Sequence, residues 1–335
     1  MPATATSGTP FMLPSIGENP GSRKVMMVVH GAGHFAEADL QPVADAVAAR
    51  LGRPINFVPV VYADVMNPPL GRAGVSVGVD ASQEKKLQDD LEKEMTRDAF
   101  LRAFADVPAD QLLTALATAA LPGGFNLVNT ISTIVRTGQV GSITPDLLNA
   151  FSAAFPSIPI PNWLNKKAPS TTPDAMGGLD LTFVIKEVCQ YLANANVQSA
   201  IQTQVKQKLD QAALAYDEIV LVSHSLGTVV TFDVLHDCAD QYAKVTHWFT
   251  LGCPLVKVMR IGQRRDLGKI NYGTVKHWFN IYDSTDLVAN ALGPSFCRPE
   301  FLLHDIFVDI ASDPLPSHDY FTNPQTLEYI AAAMR

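Results

Sequence analysis

The chain alternates between short unbroken apolar runs and longer stretches in which apolar residues recur every three to four positions. Runs of the first kind suit parallel strands covered on both faces. Stretches of the second kind suit amphipathic helices lying against them. Lys24–Val29, Ile55–Tyr62, Ile219–Val222, Val245–Leu251, Val275–Tyr282 and Phe301–Ile310 read as strands. Asp39–Leu51 reads as a helix with Leu40, Val43, Ala44, Val47 and Leu51 on one stripe, ended by Gly52. Gln83–Phe104 is a charged helix with Leu87, Leu91 and Met95 turned inward. Leu181–Leu192 aligns Leu181, Val184, Ile185, Val188 and Leu192, and Val197–Ala213 aligns Val197, Ile201, Val205, Leu209 and Ala213. Leu226–Cys238 keeps Leu226, Val229, Val230, Val234 and Cys238 to one side, and Asn323–Met334 closes the chain behind an Asn-Pro cap. Pro59 inside the second run predicts an edge strand or a bulge. Strands separated by helices predict an α/β class with a mostly parallel central sheet flanked by helices.

The alternation is interrupted once. A single helix should connect the second strand to the third, but Ala63–Tyr216 intervenes. Its last helix, Val197–Ala213, is the one expected to pack on the sheet. The predicted organisation is an N-terminal arm over 1–22, a core over 23–62 and 179–335, and a large helical insertion over 63–178. Within the insertion, Gln111–Ala120, Phe125–Val135 and Pro145–Phe155 are short helical or loop pieces, and Pro156–Pro173 is irregular and proline-rich. The insertion reads as a helical cap or lid over a site; an apolar cap shapes a hydrophobic pocket. A subunit interface or additional core is the alternative.

Composition narrows the partners. With 335 residues and 47% apolar content the chain can build one large core. A net charge of −8 argues against a nucleic-acid surface and against a basic face for anionic membranes. No apolar run approaches the roughly 20 residues of a membrane helix, and Met1–Pro20 lacks the pattern of a secretory signal. The expectation is a cytoplasmic protein. Cys189, Cys238, Cys253 and Cys297 are too far apart for a C-x-x-C pair and read as buried thiols. His30 and His34, with Glu37 and Asp39 nearby, sit on a loop without the i, i+4 face of a shared metal site, so neither a metal nor a cofactor is expected.

The candidate chemistry lies at Asp217–Gly227, D-E-I-V-L-V-S-H-S-L-G. An apolar strand runs into a tight turn carrying Ser225, and a helix starts at once. Such a turn holds a serine out of the sheet, and the helix aims its N-terminal amides at charge developing there. A serine hydroxyl needs a base to take its proton, and the base needs an anion to hold its tautomer. His318, before the C-terminal helix, and Asp286 or Asp283, after the fifth strand, follow Ser225 in the chain. All three lie at the ends of predicted strands or beyond, where parallel strands bring distant residues together. His304, His247 and His277 fall inside strands and read as packed residues. His224 reads as a local packing or hydrogen-bonding residue.

Ser223-His224-Ser225-Leu226-Gly227 resembles the G-x-S-x-G nucleophile elbow of the α/β-hydrolase superfamily, with serine in place of the first glycine. His30-Gly31-Ala32-Gly33 after the first strand, Thr250-Leu251-Gly252-Cys253-Pro254-Leu255 and Asp286-Leu287-Val288 are similar to further motifs of its lipase-like and esterase-like members. The resemblance covers residues 24–62 and 195–335. It implies the α/β-hydrolase fold and a serine hydrolase cleaving carboxylic esters through an acyl-enzyme. It also implies a Ser225, His318 and Asp286 triad, with Asp283 as the fallback acid, able to form an Asx turn with Thr285. The backbone amides of Ala32 and Leu226 would form the oxyanion hole, and His30 would hydrogen-bond within its loop. The implied partner is a small-molecule ester with an apolar acyl or alcohol part. An acyltransferase, thioesterase, lactonase or peptidase would use the same triad, and a non-catalytic interaction module the same fold.

Overall fold

The computed structural model describes residues 22–66, 81–105, 181–237, 242–261, 275, 277–296, 303–311 and 316–335. Six strands form one sheet: β1 (Lys24–Val29), β2 (Asn56–Val60), β3 (Glu218–His224), β4 (Val245–Leu251), β5 (His277–Tyr282) and β6 (Leu303–Phe307). Their order is β2-β1-β3-β4-β5-β6, and every pairing is parallel. The architecture is α/β, with helices on both faces. Leu181–Ala193 and Ala195–Ala215 begin and end within two residues of their predicted helices. β2 is an edge strand, which is where Pro59 can sit without breaking a central ladder.

Among the described residues the helices are α1 (Glu37–Leu51), α2 (Ala63–Met66), α3 (Ala81–Ala105), α4 (Leu181–Ala193), α5 (Ala195–Ala215), α6 (Leu226–Asp237), α7 (Leu255–Arg260), α8 (Gly293–Phe296) and α9 (Pro324–Met334), with a 3₁₀ turn at Pro316–His318. Alternation along the strands splits the core into two. Met26, Val28, Val220, Val222, Phe249, Phe279 and Ile281 pack against α1 and α9. Val25, Met27, Ile219, Leu221, Trp248 and Trp278 pack against the helices of the other face. β3 lies between both layers, and its residues from Ile219 onward are all buried. That is the physical reason for its unbroken apolar run.

Local signals also hold at the helix ends. Gly52 closes α1 in the left-handed conformation, φ 64°. The Asn323 side chain accepts the Thr326 N–H at 2.9 Å and caps α9. Asn194 does the same for α5, accepting from the amides of Asn196 and Val197.

Of the insertion, residues 63–66 and 81–105 are described; the elements predicted over 111–173 lie outside the described residues, as do 1–21, Cys238 and Cys297. α3 buries Leu87, Leu91 and Met95 in the same layer as Val184, Val188 and Cys189 of α4. It is also joined to the core through charge. Asp98 faces the fully buried Lys257 of α7 at 2.9 Å and Arg260 at 2.9 Å. Asn290 donates to the same carboxylate at 2.8 Å.

The chain leaves β1 for β2 on one side and then returns to place β3 on the other. The carboxyl ends of β1 and β3 therefore flank the point where strand order reverses. In open parallel sheets such a point is the usual ligand position. The loop His30–Gly33 follows β1, and Ser225 follows β3.

No described helix is long and apolar enough to cross a membrane.

Candidate active site

Ser225 is the single non-glycine residue with positive φ among the described residues, at 51°. A side chain in this conformation costs about 1–3 kcal/mol and persists when its surroundings over-determine it. Here they do. The Ser225 N–H donates to the Leu251 carbonyl at 2.9 Å, and the Ser225 carbonyl accepts the Thr228 N–H at 2.9 Å and the Thr228 hydroxyl at 2.6 Å. The turn is also closely packed. A Cβ on Gly227 would lie 2.3 Å from the His30 carbonyl oxygen, and one on Gly31 would lie 2.6 Å from Ser225 Cβ. Glycine is required at both positions, at Gly227 because the backbone of Val29 and His30 passes there and at Gly31 because Ser225 Cβ and the His224 ring do.

Ser223 occupies the position where the elbow motif carries glycine. It is buried, and its hydroxyl is engaged in the core: it donates to the Phe249 carbonyl at 3.1 Å and accepts the Trp248 indole N–H at 2.9 Å. A serine is tolerated because β4 offers it both a donor and an acceptor. The close approach that excludes a Cβ falls at Gly227 instead.

The 3₁₀ turn places His318 beside the acid loop after β5. His318 Nδ1 lies 2.8 Å from Asp286 Oδ2. The same oxygen accepts the Tyr320 hydroxyl at 2.7 Å, and Oδ1 accepts the Val288 N–H at 2.8 Å. Burial alone pushes the Asp286 carboxyl up. The facing His318 and the bonds from His318, Tyr320 and Val288 outweigh it and hold the group below the usual carboxylate range. The carboxylate therefore receives Nδ1–H and leaves Nε2 as the lone-pair nitrogen. Gly252, at φ 62°, makes room for this ring: a Cβ there would lie 2.7 Å from His318 Cε1.

Asp283 does different work. It accepts the Thr285 N–H at 2.7 Å and hydroxyl at 2.8 Å, an Asx turn, and the Ile310 N–H at 2.7 Å. It ties the β5 loop to the segment after β6. Of the two aspartates, Asp286 is the one brought to the histidine.

Ser225 Oγ and His318 Nε2 are both buried, and neither has a hydrogen-bond partner among the described residues. Two orphaned polar atoms in one core carry a desolvation cost of about 1–3 kcal/mol each. They do not bond one another in this geometry. His224, the residue before Ser225, connects the two sides. Its Nε2 donates to the His318 carbonyl at 3.0 Å, and the two rings lie 4.7 Å apart between centroids. Burial, with His318 adjacent, lowers the His224 pKa to about 3, so it is a neutral spacer rather than a base.

The loop after β1 is held from several sides. The Tyr62 N–H donates to His30 Nε2 at 2.9 Å, and the Tyr62 hydroxyl donates to the His30 carbonyl at 2.8 Å. His30 Nδ1 contacts the Gly31 carbonyl. Both ring nitrogens are thus engaged within the fold, as a loop-bonding residue requires, and burial lowers the His30 pKa to about 4. Ala32 is buried, and Leu226, the first residue of α6, is fully buried. Gly33 donates its N–H to Glu187 at 2.9 Å, so this amide is turned away from any ligand at Ala32. Among the described residues no group of three or more His, Cys, Asp or Glu side chains is arranged to hold a metal ion.

The strand histidines are packed, whereas His34 is exposed. His247 and His277 stack at 5.6 Å on neighbouring strands, and His304 stacks on Phe279 at 5.2 Å at the β6 edge. Cys189 and Cys253 are free buried thiols, both pushed by burial to about 12. Sequence reasoning missed Tyr320, Gly252 and Glu187. Tyr320 lies two residues after His318 and Gly252 sits in a noted motif, but neither spacing specifies a contact. Glu187 had a signal, a carboxylate on the Val184–Val188–Tyr191 face of an otherwise apolar stripe.

A scan against protein-family models finds no match to this chain, and a search of the curated proteins finds none either.

Proposed function

We propose that this protein is a serine hydrolase of the α/β-hydrolase type that cleaves carboxylic esters through an acyl-enzyme. The observation that carries the reading is the buried Asp286–His318 pair beside a serine held at positive φ on a strand-to-helix turn. The position of that turn at the strand-order reversal supports it further.

In the proposed reaction Ser225 Oγ attacks the ester carbonyl carbon while His318 Nε2 takes its proton. Asp286 stabilises the imidazolium and fixes the tautomer without itself becoming protonated. The amides of Leu226 and Ala32 receive the oxyanion. His318 returns the proton to the departing alcohol, which leaves a Ser225 acyl ester. Water, activated by the same nitrogen, then releases the acid. The chemistry needs no cofactor. The orphaned Ser225 Oγ and His318 Nε2 are the two atoms between which the first proton moves; such bonds are often long before substrate binds.

The partner in this reading is a small ester with an apolar part, and no nucleic acid takes part in the reaction. The test is labelling by a fluorophosphonate and hydrolysis of p-nitrophenyl esters of graded acyl length. Wild type should label at Ser225 and turn over; Ser225→Ala should do neither. Full activity in Ser225→Ala, or no label on folded wild type, would sink the mechanism. Product analysis with an added alcohol separates hydrolysis from acyl transfer.

A further inference from the structure

Glu187 lies on α4, is 2% exposed, and points its Oε2 at the Gly33 N–H at 2.9 Å. We infer that Glu187 is a positioning residue for the oxyanion loop, orienting the Ala32 amide by holding the amide next to it. The inference rests on the serine-hydrolase reading and deepens it.

The loop His30–Gly33 has a well-anchored first half and a permissive second half. Tyr62 fixes His30 from β2's end through two hydrogen bonds, and Gly31 is wedged against Ser225 Cβ. Gly33, at φ 129°, occupies a region that glycine enters freely and other residues rarely do. Nothing intrinsic to a glycine holds that conformation, so an external acceptor must select it. The peptide between Ala32 and Gly33 carries the Gly33 N–H. The Ala32 N–H sits on the preceding peptide, which shares the Ala32 Cα with this one. A carboxylate on the Gly33 N–H therefore pins the Ala32 Cα from one side, as Tyr62 pins His30 from the other, and limits how far the Ala32 N–H can swing, without touching a substrate.

The placement is chemically specific. A carboxylate near an oxyanion opposes the charge developing there, so charge is not what this side chain contributes. The useful property is an acceptor at fixed length from a packed helix. Val184, Val188 and Tyr191 bury the same face of α4 and hold Glu187 in place. The Glu187 charge also reaches Tyr62, where it adds to burial in raising the phenol well above its usual range. That keeps the Tyr62 hydroxyl a donor to the His30 carbonyl. One residue thus bears on both anchors of the loop.

The test compares Glu187→Gln, which keeps an acceptor of the same length, with Glu187→Met, which keeps the volume and removes it. Glu187→Asp, one methylene shorter, serves if the methionine variant does not fold. Each is measured as the full chain for kcat and KM on a p-nitrophenyl ester and for amide hydrogen exchange at Gly33. The expected result is a kcat about 10²-fold lower in Glu187→Met with KM within threefold of wild type, since roughly 1 Å of misplacement costs on that order. Glu187→Gln should match or exceed the wild-type kcat. Gly33 exchange should stay slow in wild type and Glu187→Gln and become fast in Glu187→Met. An unchanged kcat in Glu187→Met, a loss confined to KM, or unchanged Gly33 exchange overturns this role alone. Equal loss in Glu187→Gln and Glu187→Met overturns the acceptor argument. A wild-type chain that neither hydrolyses nor labels overturns the serine-hydrolase reading and this role with it.

Discussion

Replacing Asp98 with alanine should destabilise the protein more than removing its partner Lys257. Lys257 Nζ is fully buried and contacts Asp98 at 2.9 Å, the Ala289 carbonyl at 3.3 Å and Asn290 Oδ1, of which Asp98 carries the opposite charge. Asp98→Ala takes the carboxylate at 2.9 Å away from a buried ammonium, and removing one partner of a buried ion pair costs about 3–5 kcal/mol. Lys257→Met is gentler. Asp98 then keeps Arg260 at 2.9 Å and the Asn290 amide at 2.8 Å, so the expected loss is about 2 kcal/mol, the scale of a hydrogen bond to a charged group. The double variant Asp98→Leu/Lys257→Met removes both charges and should cost less than Asp98→Ala alone. Urea unfolding followed by tryptophan fluorescence suits the measurement, because Trp248 and Trp278 stack 4.3 Å apart in the core these residues border. The pH dependence has a definite sign. Burial opposes ionisation of Asp98, but Lys257, Asn290 and Arg260 together bring its pKa from 3.8 to about 2. A lowered carboxyl contributes stability above its unfolded value, about 2 kcal/mol here, which is lost as pH falls from about 4 toward 2. The wild-type advantage over Asp98→Asn should shrink across that window. A cost below about 1 kcal/mol for Asp98→Ala, or a larger cost for Lys257→Met, would refute the account and with it the idea that this ion pair ties α3 to the core.

Two further outcomes follow from the site. Asp286→Asn should lower kcat by roughly 10⁴-fold, because an amide cannot hold the Nδ1–H tautomer against an imidazolium; Asp283→Asn should leave kcat within about tenfold and instead lower the unfolding midpoint, and the reverse pattern would exchange their roles. The buried neutral His30 and His224, with pKa values lowered to about 4 and 3, bind protons in the unfolded chain first. Their contribution is complete above about pH 6.5 and is lost as pH falls through 4 and 3, at roughly 1.4 kcal/mol per unit for each group. Unfolding free energies at pH 7.5, 5.5 and 4.5 check this, and a flat profile would contradict the burial argument.

The comparison of sequence with structure divides along a physical line. Element type and approximate extent were readable because they depend on neighbours in the chain. The Ile219–Val222 run, the Leu40–Val47 stripe, Gly52 and Asn323 each express a backbone preference or a periodic face. The parallel class followed from the alternation, and Pro59 pointed to an edge because a missing N–H is tolerable there. The edges of strands were less well read: Val275 and residues 308–310 fall within predicted strands but outside β5 and β6, since apolar character continues past the last ladder bond.

Contacts between distant segments were decided only by the tertiary structure. Asp283 and Asp286 are chemically identical and three residues apart, so side-chain chemistry does not separate them; the resemblance of Asp286-Leu287-Val288 to a family motif favoured Asp286. The loop geometry turns one toward His318 and the other toward Thr285 and Ile310. Glu187, Tyr320, and the Asp98–Lys257 pair belong to the same class: each is an ordinary residue whose meaning lies in what faces it. Ser225 stands between the two. Its strand-turn-helix setting and glycine neighbours were written in the chain, whereas its positive φ is sustained by bonds from Leu251 and Thr228 and by the approach of Gly31. Local sequence determines which conformations are affordable; the packed fold determines which strained one is kept, because only simultaneous contacts from several elements can outweigh its cost.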